Sequence, residues 1–172
     1  MNFPTIWPQF FTASIYKRKF LLKDDAYKDI IIECLQFLVA HNRIELSAFA
    51  IMSNHVHFIW QPLGKFSLAQ IQTSFMTYTS KAIKNKLLLE NQPLLEQVRV
   101  NKFDRTYQIW KREPLSIELF TENVFLQKLE YIHENPVSAG LVNYGDIYKY
   151  SSAKFYADGF DEFEILTHFT GN

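Results

Sequence analysis

Apolar residues along the chain shift their spacing between every second residue and every third or fourth, and those shifts mark its elements. Residues 7–16 are rich in aromatic and β-branched side chains and read as a first strand, followed by the basic cluster Lys17-Arg18-Lys19. Over residues 24–41, Tyr27, Ile30, Ile31, Cys34, Leu35 and Leu38 recur at the spacing of one helix face, with Asp24 placed to cap its start. Residues 44–52 and 55–61 predict two strands joined by a tight Ser53-Asn54 turn. Ser67 with Gln70 makes a capping-box pattern that opens a second helix, whose apolar stripe carries Leu68, Ile71, Phe75, Tyr78 and Ala82. Residues 90–103 lack a clean period and contain Pro93, so an irregular connection is expected there, and residues 107–112 form a short strand candidate. A third helix is predicted over residues 121–135, capped by Thr121 and ended by Pro136, with a turn at Ala139-Gly140 and weak patterning after Tyr144.

The order strand, helix, two strands, helix, strand is that of a split β-α-β sandwich, an antiparallel sheet with helices against it and the third helix appended. The fold class is therefore α+β. At 172 residues the chain suits one domain, spanning residues 1–172, with a real hydrophobic core.

Composition narrows the function classes. With 48% hydrophobic and 21% charged residues, the chain is neither disordered nor fibrous. Its 16 Phe and 9 Tyr fill a core but also permit base stacking. A formal net charge of zero argues against a protein that coats long duplexes, so any nucleic-acid contact must be local. Lone Cys34 sits inside an apolar helical pattern and reads as a buried thiol, which excludes a disulfide framework. Residues 1–11 have no basic stretch followed by an apolar run, and no segment approaches the roughly 18 apolar residues that span a bilayer. A cytoplasmic protein without membrane contact is expected.

Two candidate chemical features remain. On a strand His55, His57 and Ile59 share one face, while Val56, Phe58 and Trp60 form a core face on the other. The two histidines lie roughly 7 Å apart by strand rise, which lets both rings converge on one ion. Taken alone, the pair also reads as two exposed polar residues on a half-buried strand. On the third helix, at about 100° per residue, Phe125, Leu129 and Ile132 make the buried stripe. Tyr131 falls off it, and Asn135 shares its face one turn later. A tyrosine so placed is most often a partly exposed surface residue, but a helix would also present a phenol nucleophile with an amide ligand beside it in this way. Asn135 oxygen with two imidazole nitrogens would suit Mg²⁺ or Mn²⁺ better than a thiolate zinc site, which one cysteine could not build.

The segments AFAIMSNHVHFIW (residues 48–60) and LEYIHENPVSAGLV (residues 129–142) together resemble the single-tyrosine HUH transposases, most closely the REP-associated tyrosine transposase branch. The resemblance spans roughly residues 10–152. It implies a ferredoxin-like core, with His55 and His57 in the place of the metal-binding histidines, Tyr131 in that of the nucleophile, and Asn135 in that of a third ligand. It further implies cleavage of single-stranded DNA beside a hairpin through a 5′-phosphotyrosine intermediate. In many members the protein is a homodimer whose sites combine one chain's histidines with the other's tyrosine. Lys17, Arg18, Lys19, Lys81, Lys84, Lys102, Arg105, Lys111 and Arg112 are the DNA-binding candidates, each also readable as an ordinary surface charge. His133 and Glu134 flank the tyrosine and are further candidates to ligate or orient. Two other readings stay open: a catalytically idle hairpin-binding relative, and a replication or plasmid-transfer initiator, for whose usual extra domains this chain has no room.

Overall fold

A computed structural model of the protein describes residues 7–170; residues 1–6, part of the stretch read above for a leader, and residues 171–172 lie outside it. Strand β1 (Gln9–Ser14) leads through a single 3-10 turn (Tyr16–Arg18) to α1 (Asp25–Ala40). The hairpin β2 (Ile44–Ile51) and β3 (His55–Pro62) follows, then α2 (Leu68–Glu90) and a short α3 (Gln92–Glu96). A small hairpin, β4 (Arg99–Lys102) and β5 (Arg105–Tyr107), precedes β6 (Leu115–Glu118). The long α4 (Glu122–Ser138) and short α5 (Ala153–Asp158) complete the order. The main sheet runs β2-β3-β1-β6, every neighbouring pair antiparallel, which is the ferredoxin-like arrangement within an α+β fold.

The helix starts obey their capping residues. Asp24 accepts from the Ala26 amide at 2.9 Å, and Ser67 and Gln70 form the reciprocal capping box. In α2 the buried stripe is Ile71, Phe75, Thr79, Ile83 and Leu87, advancing by fours. Thr79 thus occupies the core position expected of Tyr78, which is 52% exposed. Thr79 is tolerated there because its hydroxyl donates to the Phe75 carbonyl at 2.7 Å and accepts from Trp110 Nε1 at 2.9 Å.

Three further expectations are corrected. The fourth strand is β6, not residues 107–112; of that stretch Tyr107 ends β5, while Trp110 forms an isolated bridge to Ile15, just past β1. The supposed irregular connection at residues 90–103 contains α3, with Pro93 in its first turn, and β4. Pro136 does not end α4, which runs to Ser138. The proline forfeits one amide near the C-terminus, yet its ring is buried and the helix closes beyond it. Closure is a Schellman motif: Leu141 N donates to the Pro136 carbonyl at 3.0 Å and Gly140 N to Val137 at 2.9 Å, with Gly140 at φ +71°.

Both faces of the sheet are covered. Phe11, Val56, Phe58 and Trp60 pack on one side with Ile31, Leu35 and Phe75 of α1 and α2. On the other, Phe10, Ala48, Ala50 and Ile59 meet Phe125, Leu129 and Ile132 of α4. The face read as polar on β3 is therefore also interior. A bulge at Ser47, between the pairs Leu46↔Trp60 and Ala48↔Ile59, resets the alternation of β2, so that Leu46 and Phe49 share one layer. The weakly patterned tail covers the free edge of β2: Ile51 N donates to the Tyr150 carbonyl and Ser152 N to Phe49, each at 2.9 Å.

Replacing Thr79 by valine keeps the volume but strands the buried Trp110 N–H. We expect a loss of about 1–3 kcal/mol in stability, read as a lower urea midpoint at unchanged slope.

Candidate active site

The register of β1 against β3 sets the site, pairing Thr12 with His57 and Ser14 with His55. Paired residues on antiparallel strands share a face, so Thr12 and the two histidines all look toward α4. The imidazole centroids are 4.8 Å apart. His57 is only 3% exposed, stacked at 5.6 Å on Phe10, and its Nδ1 lies 2.7 Å from Thr12 Oγ1. Its Nε2 is buried and has no hydrogen-bond partner among the described residues. Burial, then the charges of His55, Arg18 and Lys128, hold the His57 ring neutral, with its pKa pushed down to about 3.

His55 is held at both nitrogens. Nδ1 lies 2.6 Å from Asn54 Oδ1, and Nε2 lies 3.0 Å from Asn135 Oδ1 on α4. Asn54 in turn donates its amide nitrogen to the Arg18 carbonyl at 3.2 Å, which fixes its oxygen toward the ring. With Nδ1–H donated to Asn54, the neutral ring turns a bare Nε2 toward the Asn135 oxygen, and two lone-pair donors 3.0 Å apart repel unless a cation lies between them. A proton is one such cation, but burial lowers the pKa of His55, aided by Arg18 and opposed by the Asn135 bond. A divalent metal ion between them would remove the repulsion as well. Among the described residues no group of three or more His, Cys, Asp or Glu gathers anywhere, so the donors available here are two imidazoles and one amide oxygen. The orphaned Nε2 of His57 and the paired acceptors of His55 and Asn135 fit a small divalent cation.

Tyr131 stands over this cluster. Its ring lies 5.2 Å from His57 and 6.0 Å from Phe10, both edge-on, while 49% of the residue remains exposed. The same chain thus brings the tyrosine, the amide and both histidines together.

The other candidates separate. His133 does not join the site: its Nε2 bonds Ser152 Oγ at 2.8 Å and its ring lies against Tyr156, anchoring the tail. Glu134 is exposed and makes no ion pair among the described residues. Lys81, Lys84, Arg105, Lys111 and Arg112 line a groove of about 730 Å³ between α2 and residues 105–114. Lys111 N donates to the Ser14 carbonyl at 2.7 Å, which joins the groove to the β1 end that pairs with His55. Within the groove Arg105 is engaged by Asp104 at 2.7 Å. Lys102 lies on the outer hairpin, and Lys17, Arg18 and Lys19 in and just after the turn that follows β1. Arg18 donates to Ser14 Oγ at 3.1 Å, beside the histidines. Sequence reasoning passed over Thr12, Asn54 and Lys128. Alternation on β1 would have put Thr12 on one face, but only the register shows that it is opposite His57.

Residues 5–114 match the family model described as "Transposase IS200 like". The matched span includes both histidines and ends before Tyr131. The fold is similar to that of a REP-associated tyrosine transposase solved bound to a REP hairpin, at 17% identity and a TM-score of 0.64, covering 100% of this chain and 94% of that one. A putative transposase from Deinococcus radiodurans R1 aligns at 17% identity and a TM-score of 0.49, over 73% of this chain and 87% of that one. No curated protein matches the sequence.

Burial lowers His133 from 6.5 to about 4. Above pH 6.5 the ring is neutral folded or unfolded and contributes nothing; as pH falls toward 4 the unfolded chain takes up a proton that the folded one refuses, so stability drops by on the order of 3 kcal/mol. His55 and His57 add dependence of the same sign. His133→Gln, which retains a partner for Ser152, is expected to flatten the fall, measured by urea midpoints at pH 7 and pH 4.5.

Proposed function

The chain belongs to the IS200-like transposase family, and we propose that it cleaves and rejoins single-stranded DNA next to hairpins, with Tyr131 as nucleophile and Mg²⁺ or Mn²⁺ held by His55, His57 and Asn135. The observation that carries this reading is the 3.0 Å approach of Asn135 Oδ1 to His55 Nε2, which closes a three-donor cluster directly beneath Tyr131. A divalent ion bound there would polarise the phosphate and offset the charge that grows on it.

The chain's own residues supply the rest. Phe10 and His57 hold the Tyr131 ring by its edges, leaving it open to an incoming strand. The phenol oxygen bonds to phosphorus as the P–O3′ bond breaks; the phenol gives up its proton to solvent and the departing 3′-oxygen takes one. The product is a 5′-phosphotyrosine and a free 3′-hydroxyl. Because an ester has replaced an ester, attack by a 3′-hydroxyl rejoins DNA without an external energy source. The meeting of Tyr131 and Asn135 with both histidines of the same chain supports a site formed within one protomer, whether or not the protein is a homodimer. Lys81, Lys84, Lys111 and Arg112 in the groove beside β1, with Lys17, Arg18, Lys19, Lys102 and Arg105 around it, are the proposed DNA contacts. The solved relative's REP hairpin supports a folded hairpin as the recognised form. A cytoplasmic location, alongside the DNA it would act on, belongs to the same proposal. Among the described residues no helix is long and apolar enough to cross a membrane.

A hairpin oligonucleotide with a single-stranded flank and Mn²⁺ is expected to give a covalent protein–DNA adduct on a denaturing gel, absent with Tyr131→Phe. An adduct that survives this change would falsify the nucleophile assignment, and salt-dependent binding without any adduct would show an idle hairpin binder. Thr12→Val, which removes the oxygen beside His57 Nδ1, is expected to weaken Mn²⁺ binding by about 10- to 100-fold in calorimetry. Unchanged affinity would remove Thr12 from the ligand's support.

A further inference from the structure

Lys128 lies on α4 three residues before Tyr131, one turn along the same flank. Its Nζ sits 4.8 Å from the centre of the Phe10 ring and 5.7 Å from that of Tyr131. The side chain is half-buried, and no ion pair to it is found among the described residues. Contrast Lys28, also drawn into the protein, which is matched by Asp25 at 2.8 Å. Two aromatic faces hold the Lys128 ammonium in place without neutralising it. Across the histidine pair, Arg18 supplies a second positive charge, and the charges that bear on His57 are Arg18, Lys128 and His55, with no carboxylate among them. A partly desolvated cation, fixed beside an exposed phenol and lacking a counter-ion, is a place made for an anion.

We propose that the Lys128 ammonium contacts a non-bridging oxygen of the phosphodiester that Tyr131 attacks, as a cation supplied by the protein itself. The proposal rests on the reading of Tyr131 as nucleophile, and it assigns to Lys128 a role that the histidine pair cannot fill. The ammonium binds the charge of one particular phosphate, whereas a merely packed lysine would serve Phe10 and Tyr131 whatever the DNA carries.

The test neutralises that phosphate. A hairpin oligonucleotide with a methylphosphonate at the cleaved linkage is compared with the natural diester, both binding in EDTA to Tyr131→Phe protein, so that neither cleavage nor a metal ion on the same phosphate contributes. Loss of the phosphate charge is expected to weaken binding by about 10-fold when Lys128 is present. Tyr131→Phe/Lys128→Met should bind the diester about 10-fold more weakly and show no further loss with the methylphosphonate. Lys128→Arg, which keeps the charge, should retain most of the discrimination. In protein with Tyr131 intact, Lys128→Met should slow adduct formation on the diester by about 10- to 100-fold. Equal weakening of both oligonucleotides by Lys128→Met, or a methylphosphonate penalty that persists without the lysine, overturns the proposal. An adduct that survives Tyr131→Phe overturns the nucleophile instead and leaves the charge coupling legible in the binding arm.

Discussion

Burying His57 on a strand covered from both sides strips water from its ring and leaves Nε2 without a partner among the described residues, at a cost of about 1–3 kcal/mol for a nitrogen so placed. The surrounding architecture is arranged around that cost. Thr12 takes the inner nitrogen, Phe10 covers one face of the ring, and α4 closes over the remaining side with Tyr131. A sheet with one wet face would have satisfied the histidine with solvent and left it interchangeable with any polar residue. Here the appended helix makes the layer dry, and the dryness leaves the Nε2 of His57 with neither solvent nor a protein partner among the described residues.

The same economy appears around His55. Its outer partner is Asn54, in the β2–β3 turn, and Asn54 also grips the Arg18 carbonyl. Lys17 and Arg18 are consecutive residues with left-handed backbones, φ +53° and +56°, a conformation that costs non-glycine residues of order 1–3 kcal/mol each. Further bonds from Ile15 N to the Asn54 carbonyl and from Leu22 N to that of Ser53 hold the loop to the turn. The strained turn therefore delivers a guanidinium to the rim of the site and, through Asn54, the orientation of an imidazole. These two functions are coupled by a single side chain amide.

Much of this was legible in the chain itself, where local rules govern. Asp24, Ser67 with Gln70, and Thr121 announce their helices by capping chemistry, which acts within three residues. The Ser53-Asn54 turn and the alternation through His55 and His57 are equally local. What escaped was decided at a distance. Strand β6 is short and largely exposed, and Leu115-Ser116-Ile117-Glu118 becomes a strand only because β1 offers it an edge. Tyr78 lost its expected burial to Thr79 because Trp110, 31 residues onward, satisfies the hydroxyl. In the site, the facing of Tyr131 and Asn135 followed from helical geometry, yet the dryness of His57 did not, since it requires knowing that α4 lies on that face of the sheet. Lys128 was hidden for a related reason: its neighbours Phe10 and His57 come from two different strands.

The division of the chain between sheet and appended helix has a consequence for its synthesis. By residue 118 the ribosome has supplied every strand of the main sheet and both helices of its first layer, but nothing that covers Phe10, His57 and Ile59. The tyrosine, the amide and the lysine arrive together, on the next helix to emerge. A nascent chain therefore carries the whole sheet before its second layer exists, and Phe10, His57 and Ile59 stay wet until α4 emerges and closes on them.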